Sequence, residues 1–107
     1  MHSLRKMVEA TGTTERTIRF WEQQGLLGKV ARTSGGQRTY TSEQLEIAQR
    51  IAMLSLCHIP LAEMHPYLEG TSQSRNAAVA RVLRDHIKQA NDFLQSLEKE
   101  LENDRAW

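Results

Sequence analysis

Arg16, Arg19, Phe20 and Gln23 follow one another at spacings of three, one and three residues. Successive residues of a helix turn by about 100°, so this spacing gathers two guanidinium groups, an aromatic edge and a carboxamide on one side. Guanidinium forks grip phosphate oxygens or the acceptor pair of a guanine, a carboxamide matches adenine, and a phenyl edge suits a thymine methyl or a sugar. Glu15 flanks the set, where it can orient an arginine or accept from a cytosine amino group. Thr14 and Thr17, at the head of the same helix, complete the DNA-facing group. A second set follows in Arg32, Gln37, Arg38 and Tyr40, inside a stretch from Gly28 to Tyr40 that has three bases and no acid. Arg19, Arg32 and Arg38 are the expected phosphate contacts, and Arg16, Arg19, Gln23 and Glu15 the candidates for reading bases.

Other chemistry finds no matching pattern. His2, His58, His65 and His86 are scattered, and the seven residues from His58 to His65 span a proline, so they form no helix-face metal pair. Gly35-Gly36 lacks the lysine and helix start of a phosphate-binding loop. Cys57 reads as an inert thiol at the end of an apolar helix, with a redox role as the sharper alternative because His58 adjoins it. No catalytic residue, metal or cofactor is expected, and the chain does not read as an enzyme. The single cysteine excludes an internal disulfide framework. The N-terminus has no signal-like apolar stretch, and no apolar run approaches the ~20 residues of a membrane span. A reducing cytoplasm, away from membranes, is the expected location.

These side chains need elements to carry them. Ser3 caps a first helix bearing Leu4, Met7 and Val8, and Gly12 ends it. A second helix spans about Glu15 to Gln24, with Gly25 at its C′ position. Its inner residues Ile18 and Trp21 are expected to pack on Leu4, Val8 and Leu26. Helix, short glycine turn, helix is the helix-turn-helix pattern. Ser34-Gly35-Gly36 marks a turn between two short strands, Val30–Thr33 and Gln37–Tyr40, which together make a wing. Thr41-Ser42-Glu43-Gln44 is a capping box for a third helix with a stripe of Leu45, Ala48, Ile51, Ala52 and Leu56. Pro60 opens a fourth helix with Leu61, Met64 and Leu68 facing inward, closed by Gly70. A polar linker, Thr71 to Asn76, leads to a last helix from about Ser74 to Asn103.

In that last helix Ala80, Leu83, Ile87, Ala90, Leu94, Leu97 and Leu101 alternate steps of three and four, a heptad seam that one helix cannot bury alone. Leu83, Ile87, Ala90, Leu94, Leu97 and Leu101 are the expected dimer contacts. The Glu98-Lys99-Glu100-Leu101-Glu102 run is the solvated face of the coil, and Trp107 is either frayed or packed on the partner. The fold class is therefore mainly α: a winged helix-turn-helix domain over 1–70, of four helices and a small hairpin, then a linker and dimerisation helix over 71–107. Charge divides similarly. Residues 1–50 hold eight Lys/Arg against five acids, and 51–107 six against eight, so a basic head, suited to an anionic partner, precedes an acidic tail.

Five stretches in register resemble the MerR family of bacterial transcription regulators. Arg19-Phe20-Trp21-Glu22 is similar to the family's Arg-aromatic-aromatic-Glu signature, with Gly25-Leu26-Leu27 at the family's spacing. Gly36-Gln37-Arg38-Thr39-Tyr40 resembles its wing, and Thr41–Leu45 and Pro60–Met64 also fit, so the likeness covers residues 3–70. The resemblance implies a dimer through an antiparallel coiled coil, recognition helices in successive major grooves, wings on flanking backbone, and distortion of promoter DNA. It implies that Arg16 and Arg19 are groove and phosphate contacts and Phe20 a backbone contact, without the phenolic hydrogen bond of the family's frequent tyrosine, that Arg38 of the wing meets a phosphate or a minor groove, and that Tyr40 is either a wing contact or part of the core. His58 stands where the family usually has glycine. The cysteines of metal-sensing members and the large C-terminal domain of drug-sensing members have no counterpart, so DNA binding transfers and a signal does not.

The expected function is that of a sequence-specific homodimeric transcription regulator on a near-palindromic promoter operator. Double-stranded DNA, a second copy of the chain and RNA polymerase are the expected partners. The alternatives are an architectural or excision-type DNA-bending factor and, on the same fold, a protein-interaction adaptor.

Overall fold

The computed structural model describes residues 1–105. Helix α1 (Leu4–Thr11) starts at Ser3, whose hydroxyl accepts the Lys6 N–H at 3.1 Å. It stops at Gly12, whose left-handed φ of 69° lets its N–H return to the Val8 carbonyl at 2.9 Å. Helix α2 (Glu15–Gln23) starts one residue after the next cap, Thr14, whose side chain accepts the Thr17 N–H. Strands β1 (Ala31–Arg32) and β2 (Arg38–Thr39) form an antiparallel hairpin pairing Ala31 with Thr39 and Arg32 with Arg38. Both strands are shorter than the four-residue arms expected. A contact that pattern reading missed lengthens the sheet: His2 and Tyr40 exchange backbone hydrogen bonds of 2.7 and 2.8 Å, so the N-terminus forms a third rung beside the wing.

Helix α3 (Ser42–Leu56) carries the reciprocal capping box expected between Thr41 and Gln44. Its buried stripe is Gln44, Ala48, Ile51 and Leu54, while Leu56 is 68% exposed. The reason is phase: Leu56 lies five residues beyond Ile51 and about 140° round the helix from it. Cys57 caps the helix half-buried, and His58 follows at φ 63°, so the position where the family resemblance expects glycine does adopt the left-handed conformation.

The expected fourth helix is divided. A 3₁₀ turn over Leu61–Glu63 precedes helix α4 (His65–Leu68). Pro66 explains the break, because it has no N–H to give and tolerates only the first turn of a helix. Met64 and Leu68 still point inward and are buried. The expected linker is absent too. Helix α5 (Ser72–Arg105) begins directly after Thr71, whose hydroxyl accepts the Ser74 N–H at 3.1 Å. The polar run 71–76 marks exposure and a cap, not irregular chain. The first turns of α5 pack on α3 and α4, with Val79 buried and Val82 against the core. Beyond them the helix runs free, which gives the molecule its 69 × 29 × 21 Å shape. Trp107 lies outside the described residues.

One core joins these pieces: Met7, Ile18, Trp21, Leu27, Tyr40, Ala48, Ile51, Leu54, Met64 and Leu68, with Leu4, Val8 and Leu26 among the partly buried residues packed against it. Gln44 is its polar member. Its Oε1 accepts the Thr41 N–H at 2.9 Å, and its Nε2 donates to the carbonyls of Leu27 and Lys29 at 2.9 and 3.0 Å. Those two bonds fasten the strand-like path between α2 and the wing to the start of α3. Gln44→Leu keeps the bulk but strands both carbonyls and the cap, so a loss of about 2–3 kcal/mol is expected in urea unfolding. A cost below about 0.5 kcal/mol would show that water replaces the amide there.

Candidate nucleic-acid interface

Helix α2 turns Ile18 and Trp21 into the core, which leaves Arg16, Arg19, Phe20 and Gln23 exposed on the opposite side. The four line a single shallow depression. Phe20 is 44% exposed, an uncommon outlay of apolar surface beside two cations. Arg19 reaches back to Glu15, its Nη2 3.4 Å from Oε2, with both side chains about half exposed. At that distance and exposure the pair is weak, which leaves Arg19 available to an anion. Thr14 and Thr17 stand at the head of the helix with their hydroxyls 3.0 Å apart, so Thr14 is engaged as the cap while its residue remains exposed.

The turn of the wing is held by its own backbone, the Thr33 hydroxyl and one arginine. The Gly36 N–H reaches the Thr33 carbonyl at 2.9 Å, and Gly36 takes φ 82°, which a side-chain-bearing residue adopts only with strain. Arg32 Nη1 donates to the Gly36 carbonyl at 3.0 Å, and Gln37 is exposed at the foot of the turn. Gln37 and Arg38 border a second depression with Ser3, Leu4 and Arg5 of α1. Arg5 is a basic residue at the edge of this face that spacing did not single out, because it lies more than thirty positions from Gln37 and Arg38 in sequence.

Two wing residues converge on one carboxylate. Tyr40, grouped with the DNA contacts, is fully buried. Its ring joins the core and its hydroxyl donates to Glu22 Oε2 at 3.4 Å, so the side chain is engaged inside the protein. A two-residue strand has too little alternation to show which way its neighbour faces. Arg38 donates through Nε to the same carboxylate oxygen at 2.8 Å, with the side chains only 26% and 20% exposed. That short, half-buried pair is far stronger than Arg19–Glu15 and ties the wing to the recognition helix. Glu22 is thus a positioning residue that spacing alone did not single out. The signal was its place in the Arg-aromatic-aromatic-Glu stretch, but its partner lies sixteen residues away.

Burial, and secondarily the negative charge of Glu22 against the opposing pull of Arg38, pushes the Tyr40 phenol up from 10.0 to about 12. Among the described residues no group of three or more His, Cys, Asp or Glu is placed to hold a metal ion. No helix there is long and apolar enough to cross a membrane.

Residues 3–70 match the model of the MerR HTH family regulatory protein. The chain belongs to the MerR family. This MerR-family chain is 39% identical to the HTH-type transcriptional regulator ZntR homolog of Haemophilus influenzae, over 85% of its own length and 69% of that protein. It is 34% identical to the nodulation protein NolA of Bradyrhizobium elkanii over 78% of its own length, and spans only 36% of that longer protein. In structure it is similar to HiNmlR, a MerR family regulator lacking the sensor domain, solved bound to promoter DNA. The TM-score is 0.73 at 22% identity, covering 94% of this chain and 83% of that one, a likeness of fold.

The raised Tyr40 pKa has a pH consequence. In the unfolded chain the phenol ionises near its ordinary 10.0, whereas in the folded chain it holds its proton to about 12. Folding stability is therefore full below pH 10 and falls as pH rises from 10 to 12. Tyr40→Phe should flatten this decline in urea titrations at pH 7, 10 and 11.5, at a cost of about 1 kcal/mol at pH 7. An unchanged alkaline slope in the variant would assign the decline to other groups.

Proposed function

We propose that this MerR-family chain is a homodimeric transcription regulator that binds a near-palindromic promoter operator in double-stranded DNA and distorts it. The observation that carries the reading is the exposed Arg16–Arg19–Phe20–Gln23 face of α2, set beside a basic wing. Residues 1–70 bind DNA and 71–107 pair the copies. Arg16, Arg19, Gln23 and Glu15 meet base edges. Arg19, Arg32 and Arg38 meet phosphates, with Thr14, Thr17, Phe20 and Gln37 packed along the backbone. Arg38 does so while Glu22 holds its Nε, since a guanidinium keeps four further N–H donors. The same reading makes the protein cytoplasmic, with RNA polymerase as its neighbour at the promoter.

Dimerisation is supported by the free part of α5, where Ile87, Leu94, Leu97 and Leu101 are 57%, 50%, 41% and 56% exposed along one seam. So long an apolar stripe on a lone helix calls for a partner.

Selection from random double-stranded DNA, followed by binding of the winner across a salt series, tests the function. A two-fold symmetric motif with a steep salt slope is the expected result, and no enrichment would overturn sequence-specific regulation. Arg16→Ala should weaken the selected site by about 1–3 kcal/mol while leaving random DNA little changed. Equal weakening of both would reduce Arg16 to a phosphate contact. Leu94→Asp combined with Leu97→Asp should give monomers by light scattering, and a persistent dimer would remove the seam from the interface.

A further inference from the structure

The exposed face of α2 has a second neighbour besides the wing. Beside Phe20 a cleft of about 610 Å³ opens between the turn after α1, the flank of α2 and the last turns of α3. Phe20 and Trp21 line it from α2, and Ala52, Ser55 and Leu56 from α3. Phe20 also borders the shallow depression of Arg16, Arg19 and Gln23, so one ring is the partition between the two. Small side chains keep the cleft open, because Ala52 and Ser55 stand where larger ones would fill it.

The lining selects a class of ligand. The volume lies within the range of small-molecule sites, about 300–1,000 Å³. No charged side chain borders the cleft, and an ion buried without its counter-charge is unfavourable, so the ligand is uncharged. Two aromatic side chains favour a flat ring that stacks on them or packs edge-on. The polar atoms are few, and three are unengaged. Trp21 is only 4% exposed, yet its indole N–H makes no hydrogen bond among the described residues and is not closed off from solvent. So nearly buried a donor calls for an acceptor. The hydroxyls of Thr13 and Ser55 likewise have no side-chain partner among the described residues. Thr11, by contrast, gives its proton to the Met7 carbonyl at 2.8 Å, and Thr17 is bonded to Thr14 at 3.0 Å.

We infer that this cleft binds a small uncharged aromatic molecule bearing one or two oxygen acceptors, such as a phenol or an aryl carbonyl, and that its binding weakens the hold of α2 on DNA. The second half rests on the proposed DNA contact of Phe20, and the first stands without it. A ligand stacked on Phe20 covers apolar surface that the ring otherwise lays against the DNA backbone. Ligand and DNA then compete for one side chain, and by linkage each lowers the affinity of the other.

The test is a titration of the full chain with coumarin, a neutral flat ring with a lactone carbonyl, followed by nuclear magnetic resonance. The Trp21 indole N–H resonance, told from that of Trp107 by a Trp107→Phe variant, should move and saturate at one molecule per chain. The amides of Thr13 and Ser55 should move with it. Coumarin-3-carboxylate, the same ring with a charge, should bind about tenfold more weakly. Ser55→Phe fills the cleft from an exposed position of α3 and should abolish the movement while circular dichroism and DNA binding stay as in the parent. Leu56→Glu, at a 68% exposed position on the lip, should also weaken coumarin binding. Saturating coumarin should weaken binding of the selected DNA site about fivefold in the parent and leave Ser55→Phe unchanged. No saturable movement at Trp21, or movement only along α5, overturns the site. Movement only in the Leu94→Asp, Leu97→Asp variant would show that a second copy covers the cleft, and overturns it equally. Equal affinity for the carboxylate overturns the ligand class. Coumarin binding that leaves DNA affinity unchanged overturns the coupling alone, whereas a chain that binds coumarin and no DNA overturns the regulator reading.

Discussion

The carboxylate of Glu22 is shared by Arg38 at 2.8 Å and the Tyr40 hydroxyl at 3.4 Å, and through it the recognition helix and the wing become one body. The wing has little of its own to hold it. The wing is a hairpin of two-residue strands, below the size at which a hairpin persists alone in water. It keeps its shape because Tyr40 is locked in the core on one side, His2 pairs with the same residue along the backbone, and Glu22 neutralises the arginine that would otherwise be half-buried without an anion. On the proposed reading arginines from two elements meet one rigid duplex, so their separation has to be fixed, and a half-buried ion pair does this at less entropic cost than a mobile loop would.

Gln44 performs the equivalent task at the other end of the wing. Its amide closes the carbonyls of Leu27 and Lys29 while its oxygen caps α3, so the turn leaving α2 and the helix following the wing are mutually referenced. The outer face of α2 is then free to be polar and arginine-rich, since its stability comes from Ile18 and Trp21 beneath and from the Thr14 cap.

Much of this was legible in residue order because the relevant physics is local. Caps announce themselves within three residues, as at Ser3, Thr14 and Thr41, and the recognition face follows from the helical repeat of Arg16, Arg19, Phe20 and Gln23. The seam of α5 is legible for the same reason. What order alone could not supply is non-local or too short to have a period. Tyr40 faces inward because of what packs above it, not because of its neighbours. Glu22 finds Arg38 across sixteen residues, and His2 finds Tyr40 across thirty-eight. The division of the fourth helix at Pro66 was readable from proline chemistry, yet the apolar spacing of Leu61, Met64 and Leu68 masked it. The polar run 71–76 misled in the opposite sense, because exposed helix and linker share a composition.

The absence of any loose segment between head and rod makes α5 a crankshaft. Val79 and Val82 are set into the same core that holds the recognition helix, so the angular position of the head about the rod is fixed by residue count alone. One residue added beyond Val82 would turn the head by about 100° and advance it about 1.5 Å, whereas seven would nearly restore the angle while adding about 10.5 Å of reach. Phase and distance are therefore set by different insertions.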